Sequence, residues 1–142
     1  MRACLTTQLE PDEAVARARD SPPMEGMDYV QEVSTTEAFT WDEESRPWTI
    51  PNPSVGQTGH YMKLPETRHR LVAYDFGVKF NILRQLRQNG FDVEVVNSRT
   101  PAKDVLDFNP DGIFLSNGPG DPAALDYIHA EVKQLIGRRP IF

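Results

Sequence analysis

The sequence of 142 residues contains a single cysteine, Cys4. One cysteine excludes an internal disulfide and any metal site built from several cysteines. Because no glycine-rich turn or helix start follows Cys4, we interpret it as a small buried or terminal residue rather than as a nucleophile. The three histidines, His60, His69 and His129, have no Cys, Asp or Glu at the spacing of metal ligands. We therefore expect no metal site.

Long apolar runs and an excess of positive charge are also missing. No apolar run approaches the roughly 20 residues that a membrane-spanning helix needs. The first residues are too polar for a secretory signal, so we expect a cytoplasmic protein with no membrane partner. Residues 1–68 carry 6 Lys and Arg against 12 Asp and Glu, residues 69–142 carry 9 of each, and the net charge is −6. This balance does not favour nucleic acid as a partner.

The most informative stretch is Leu115–Pro122, with the sequence Leu-Ser-Asn-Gly-Pro-Gly-Asp-Pro, which follows the apolar run Gly112–Leu115. It predicts a strand, a glycine-rich turn and a helix start with Asp121 as N-cap. Gly118 and Gly120 allow positive φ and let backbone N–H groups approach a ligand. At the end of a strand, such a loop can bind an anion or a carbonyl oxygen. On this octapeptide alone, an ordinary tight turn is an equal alternative.

Residues 69–142 alternate between strand and helix patterns, which predicts a parallel α/β sheet with helices on both faces. We expect a four-stranded, mostly parallel sheet in which the strand at Leu71 is central and the strand at Gly112 is its neighbour. The predicted strands are Leu71–Tyr74, Asp92–Val96, Gly112–Leu115 and one that begins at Pro140. The predicted helices are one from Val78 to Gln88, one over Ala102–Leu106, and one with an apolar stripe of Leu125, Ile128, Val132, Leu135 and Ile136.

Residues 1–68 have a different character. A helical pattern runs from Glu10 to Arg19, with acidic residues in its first turn and basic residues in its last. A second short helix is predicted over Met27–Val33 and a short strand over Ala38–Trp41. The following residues are rich in Pro, Gly and polar side chains, which indicates a linker with at most a hairpin around Trp48. We therefore divide the chain into a first unit (1–43), a linker (44–68) and a second unit (69–142).

The octapeptide and the stretch from Val72 to Arg84 together resemble the small, glutamine-hydrolysing subunits of carbamoyl-phosphate synthetase. That family carries Tyr-Asp-Phe-Gly at a strand end, a lysine and Asn-Ile-Leu-Arg in the next helix, and Leu-Ser-Asn-Gly-Pro-Gly-Asp-Pro further on. The resemblance continues upstream through Gly26-Met27-Asp28 and Glu32–Thr36, and it covers most of the chain.

The resemblance implies a flavodoxin-like class I glutamine amidotransferase sheet, of which residues 69–142 are the front half. Residues 1–43 would be the tail of a smaller N-terminal domain. In class I amidotransferases the strand that begins at Pro140 leads into a Gly-x-Cys-x-Gly nucleophile elbow, and the histidine and glutamate of the triad come later. None of these three catalytic residues is in this chain. We therefore expect a fragment of a longer protein that is inactive alone.

The resemblance also implies a reaction and its partners. The complete domain would attack the side-chain amide of glutamine with a cysteine thiolate, form a thioester and release ammonia. A large subunit would use the ammonia with bicarbonate, ATP and Mg to make carbamoyl phosphate for pyrimidine and arginine synthesis, while the small subunit needs no cofactor. Gly118 would be the oxyanion-hole glycine and Gly120 its neighbour at the glutamine site. Gly118→Val should then lose most glutamine hydrolysis while the protein stays folded.

Two other interpretations stay open. Related amidotransferases of anthranilate or guanylate synthesis tend to carry proline or glycine where this chain has Asn117, and they lack the upstream domain. A non-catalytic α/β binding module would use the glycine turn structurally or for a small anion, and its acidic N-terminal segment would dock a partner. Asp75-Phe76-Gly77 also matches the kinase magnesium motif, but no His-Arg-Asp loop precedes it, so we interpret it as a strand-to-helix turn. Lys79 is interpreted as a solvated charge.

Overall fold

The computed structural model describes residues 2–41 and 64–142. The hairpin considered around Trp48, His60 and most of the predicted linker lie outside these residues. The described part contains five helices: α1 (Pro11–Asp20), α2 (Val30–Val33), α3 (Phe80–Gln88), α4 (Ala102–Asp107) and α5 (Asp126–Leu135). It contains four strands: β1 (Phe39–Thr40), β2 (His69–Asp75), β3 (Phe91–Asn97) and β4 (Gly112–Leu115). None of the helices in the described ranges has the length and apolarity that crossing a bilayer requires.

The sheet has the strand order β1-β3-β2-β4. β2 is parallel to β3 and to β4, with Leu71 opposite Val93 on one side and Gly112 on the other. The predicted central strand and its parallel neighbours are therefore confirmed. Right-handed crossovers through helices are the ordinary way to connect such parallel strands.

The fourth strand of the sheet is not the one predicted from the sequence. β1, from the N-terminal segment, pairs antiparallel with β3 and takes that edge. The expected strand at Pro140–Phe142 makes only an isolated parallel bridge between Ile113 and Ile141. Its backbone is nevertheless bonded to β4, since the Ile113 N–H donates to the Pro140 carbonyl at 2.9 Å.

Both faces of the sheet are covered, as the alternation of strand and helix patterns predicts. Side chains alternate along a strand, so neighbouring residues of β2 enter opposite cores. Val72 and Tyr74 pack on one face with residues of α4 and α5. Leu71 and Ala73 pack on the other face with Leu83 of α3. The N-terminal segment contributes to both cores, through Val30 on the first and Trp41 on the second.

The short helix predicted over Met27–Val33 starts later, at Val30. The Val30 N–H donates to Asp28 Oδ1 at 3.0 Å, and Gly26 has a φ of +74°. Met27 and Asp28 instead pair with the loop after β4, and this long-range contact replaces the first helical turn.

The apolar stripe predicted for α5 is one residue too long. The helix ends at Leu135, which is fully buried, whereas Ile136 is 65% exposed. We expect Leu135→Ala to lower the free energy of unfolding by about 2–5 kcal/mol, because it leaves a cavity in the core. Ile136→Ala, its matched control, should change it by no more than about 0.5 kcal/mol. Urea unfolding of both variants measures the difference, and equal losses would contradict the placement of this helix end.

Candidate functional site

The glycine loop, Ser116–Asp121, follows β4 at the carboxyl edge of the sheet, beside the turn that follows β2. Ser116 joins the two connections: its Oγ accepts a hydrogen bond from the Phe76 N–H at 2.9 Å. The Asn117 side-chain amide reaches the Gly77 carbonyl at 3.5 Å. Open parallel sheets bind ligands at this edge. The glycine loop therefore lies where such sheets commonly bind ligands, and ligand binding here remains a prediction.

Position 118 requires glycine because there is no space for a Cβ atom, and not because of its backbone angles. A Cβ built on Gly118 would lie 2.2 Å from the Phe76 carbonyl oxygen and 3.0 Å from Phe76 Cβ. Its φ is not positive, in contrast to Gly120 at +91° and Gly77 at +116°. The positive φ that glycine allows at this position is therefore adopted by Gly120 and not by Gly118. The expectation that a side chain there would hardly affect folding loses its physical basis, because any side chain must displace the loop or the Phe76 backbone.

The backbone of Gly118 is exposed and available for a ligand. Gly118 is an exposed residue. Among residues 2–41 and 64–142, its N–H has no hydrogen-bond acceptor. A backbone N–H group that has no acceptor within the protein can donate to a carbonyl oxygen or an oxyanion.

Gly120 faces the N-terminal segment. A Cβ on Gly120 would lie 2.5 Å from the Met27 carbonyl oxygen and 3.2 Å from the Tyr29 nitrogen. Gly120 also forms an isolated antiparallel bridge with Asp28. The close approach of two backbones therefore explains the absence of a side chain at Gly120. Contact with a substrate remains a prediction for this residue.

Asp121 is an N-cap, as predicted, but of a short 3₁₀ turn (Pro122–Ala124) that precedes α5. Its Oδ1 accepts from the Ala123 N–H at 2.9 Å. Its Oδ2 accepts from the Gly26 N–H at 2.9 Å. These residues are 95 positions apart, and the local sequence does not predict this contact. The hydrogen bonds from Gly26 and then Ala123 hold the pKa of Asp121 below its ordinary value. The carboxylate is therefore ionised at neutral pH and committed to backbone donors.

A cavity of about 620 Å³ opens between the glycine loop and α5. This volume lies within the range of small-molecule sites. Gly118 and Asn117 line one side of it, and His129 and Lys133 of α5 also contribute. The remaining lining is mostly apolar, from Val30, Phe76, Leu115, Ser116, Pro119, Pro122, Leu125, Ile128 and Val132. The backbone of Gly118 therefore lies beside an open cavity large enough for a small molecule.

Asp75 forms a turn and is not placed as a metal ligand. Its Oδ1 accepts from the N–H groups of Gly77 and Val78 at 2.9 and 2.8 Å. Its Oδ2 accepts from the Thr35 N–H at 2.8 Å. The interpretation of Asp75-Phe76-Gly77 as a strand-to-helix turn is therefore confirmed. Lys79, which follows it, is exposed.

The described residues contain no group of three or more His, Cys, Asp or Glu side chains that could hold a metal ion. At the surface, His69 Nδ1 lies 3.7 Å from Asp111 Oδ2, and His129 Nδ1 lies 3.9 Å from Asp126 Oδ1. Cys4 is half-buried in the segment before α1.

The phenol of Tyr74 is buried beneath the site. Burial, with the negative charges of Glu131 and Asp104 adding to it, raises the pKa of Tyr74. Its hydroxyl donates to the Thr100 carbonyl at 2.8 Å. Tyr74 therefore stays protonated and holds the connection after β3 in place.

Residues 72–142 match the family model of class-I glutamine amidotransferases. Several curated relatives carry the name carbamoyl phosphate synthase small chain. The protein of Akkermansia muciniphila is 51% identical over 142 residues, which is all of this chain and 35% of the relative. Those of Syntrophotalea carbinolica and Escherichia coli K12 are 47% and 44% identical, each over 94% of this chain and 34% of the relative. The chain thus spans about a third of the length of these relatives.

Proposed function

The chain belongs to the class-I glutamine amidotransferase family, and we propose that it forms part of the glutamine-hydrolysing small subunit of a carbamoyl-phosphate synthetase. The observation that carries this proposal is the similarity to small chains over the whole of residues 1–142, upstream segment included. A similarity confined to the amidotransferase unit would have suited the anthranilate or guanylate enzymes equally. Gly118 lines a cavity at the carboxyl edge of the sheet, and its N–H has no acceptor among the described residues, which adds a physical reason to place glutamine there.

In the proposed reaction this chain supplies an oxyanion donor. A cysteine thiolate from outside the chain attacks the side-chain carbonyl carbon of glutamine, and the carbonyl oxygen takes up the negative charge. The Gly118 N–H donates to that oxygen, and the hydrogen bond strengthens as the charge develops. When the C–N bond breaks, the leaving amine takes a proton and departs as ammonia. Water then cleaves the thioester to give glutamate and restore the thiol.

The proposed partners are glutamine and a large subunit that consumes the ammonia. Within this account the large subunit uses bicarbonate, ATP and Mg, and this chain holds no cofactor of its own. The proposed compartment is the cytoplasm. Gly120 is proposed to lie next to the bound glutamine, although its closest contacts within the protein are with residues 27–29.

A hybrid small chain tests this function. The hybrid is the Escherichia coli small chain with one segment exchanged. The exchanged segment is the one that is 44% identical to this chain over 135 residues, and this chain takes its place. Mixed with the Escherichia coli large subunit, the hybrid should make carbamoyl phosphate from glutamine. Free ammonia in place of glutamine measures the large subunit alone and serves as the internal control.

One outcome would contradict the proposal. A hybrid that folds by circular dichroism and co-purifies with the large subunit, but supports synthesis only from free ammonia, would remove this chain from the family's glutamine chemistry. The alternative of a binding module would then be favoured.

A further inference from the structure

We propose that residues 26–35, here called the strap, hold the glycine loop in its working position, with Asp121 as the positioning residue on the loop. The inference rests on the proposed function only where activity is concerned. The strap runs along the carboxyl edge of the sheet and contacts the connections after three parallel strands.

The first set of contacts is with the glycine loop itself, after β4. The Gly26 N–H donates to Asp121 Oδ2, and the Asp121 N–H donates to the Met27 carbonyl, each at 2.9 Å. The bridge between Asp28 and Gly120 completes this short antiparallel pairing. Gly120 is two residues from Gly118, so the pairing restricts where the Gly118 N–H can point.

The second set is with the connections after β2 and β3. The Thr35 N–H donates to Asp75 Oδ2 at 2.8 Å, and the Thr35 carbonyl accepts from the Asn97 side-chain amide. The Ser98 N–H donates to Ser34 Oγ at 2.9 Å. The C-terminal end of the strap is therefore fixed to the same edge that carries the loop.

The third set is with α5 and anchors the middle of the strap. The Tyr127 hydroxyl donates to Asp28 Oδ2 at 3.2 Å. The Arg99 guanidinium stacks over the Tyr127 ring, 4.4 Å from its centroid. Val30 is buried, with 1% of its surface exposed, in the core beneath. Burial would raise the pKa of Asp28, but the hydrogen bonds that its carboxylate accepts outweigh burial and lower it.

These contacts matter because catalytic donors act only in a fixed position. An oxyanion donor must lie within hydrogen-bonding distance of the developing charge, and a displacement of about 1 Å can cost roughly 10²-fold in rate. Surface loops without external contacts open locally with little free energy. The strap supplies such contacts to the residues that follow Gly118.

The variant Asp121→Asn removes the hydrogen bond from the strap and keeps the helix cap. Its side-chain oxygen can still accept from the Ala123 N–H, but its NH₂ group would face the Gly26 N–H donor. Asp126→Asn is the matched control, because the Asp126 side chain is fully exposed and lies 3.9 Å from His129. Tyr127→Phe is the second variant, which removes the hydrogen bond to Asp28 and keeps the ring under Arg99.

Hydrogen exchange on this chain measures the strap without any assay of activity. In Asp121→Asn we expect the Gly26 and Asp121 amides to exchange about tenfold faster, because one hydrogen bond is lost and the other is loosened. Tyr127→Phe should increase the exchange rate of the Asp121 amide by a smaller factor. Asp126→Asn should leave the exchange rates of both amides unchanged. Unchanged exchange in Asp121→Asn and Tyr127→Phe would overturn the proposal, whatever the activity of the hybrid.

Activity in the hybrid small chain then tests the positioning role. In Asp121→Asn, kcat and kcat/KM for glutamine should fall by the same factor, since an interaction made in the transition state is weakened. Synthesis from free ammonia should not change. Accelerated exchange with an unchanged kcat would overturn the positioning role. An unsubstituted hybrid that is inactive with glutamine would contradict the proposed function, and exchange alone would still decide whether the strap holds the loop.

Discussion

Gly118→Ala in the hybrid small chain should reduce glutamine-dependent turnover by about 10²–10³, the usual loss when one oxyanion donor is removed. The new Cβ would start 2.2 Å from the Phe76 carbonyl oxygen, so the loop or the Phe76 backbone has to move. Either movement displaces the Gly118 N–H. Because the clash is with backbone, we expect the free energy of unfolding to fall as well.

Two controls separate the site from the fold. Gly137→Ala places a methyl group at a glycine with a φ of +79° and nothing within 4 Å. It should cost roughly 1–2 kcal/mol of conformational strain and leave glutamine-dependent synthesis intact. Synthesis from free ammonia should survive in both variants. Wild-type glutamine-dependent activity in Gly118→Ala would remove the loop from the mechanism and leave it as an ordinary turn.

The isolated chain should neither hydrolyse glutamine nor form a thioester. Its only thiol is Cys4, which is half-buried and lies in the segment before α1, away from the glycine loop in sequence. An oxyanion donor without a nucleophile cannot form the covalent intermediate. Ammonia release and the intact mass after incubation with glutamine check this expectation. Ammonia above the buffer blank that disappears in Cys4→Ser would contradict it.

The architecture of residues 69–142 could be predicted because each element carries its own signal. The buried run Leu71–Tyr74 and the turn at Asn89-Gly90 mark β2 and the end of α3 without reference to distant residues. The short strand predicted over Ala38–Trp41 is observed as β1, but its place in the sheet could not be predicted. A strand of two residues has no periodicity, and only its pairing with β3 puts it at that edge. At the end of α5, Ile136 continues the apolar pattern although the helix has already stopped.

The position of the glycine loop after β4 could be predicted from the sequence, but the reasons for its glycines could be predicted only in part. Gly118 and Gly120 were identified from the octapeptide, but the reason given for Gly118 was backbone freedom, and the structure replaces it with close approach to Phe76. Asp121 was recognised as a cap because capping is local. Its bond to Gly26 and the whole strap could not be predicted, since contacts across 95 residues leave no mark on local sequence.

The most direct test of the central claim is a crystal structure of the hybrid small chain with glutamine bound at its cysteine nucleophile. The account predicts that the Gly118 nitrogen lies about 2.7–3.1 Å from the side-chain oxygen of the substrate, the distance expected of an oxyanion donor. A substrate oxygen held by other donors, with the Gly118 N–H turned away from it, would contradict the account.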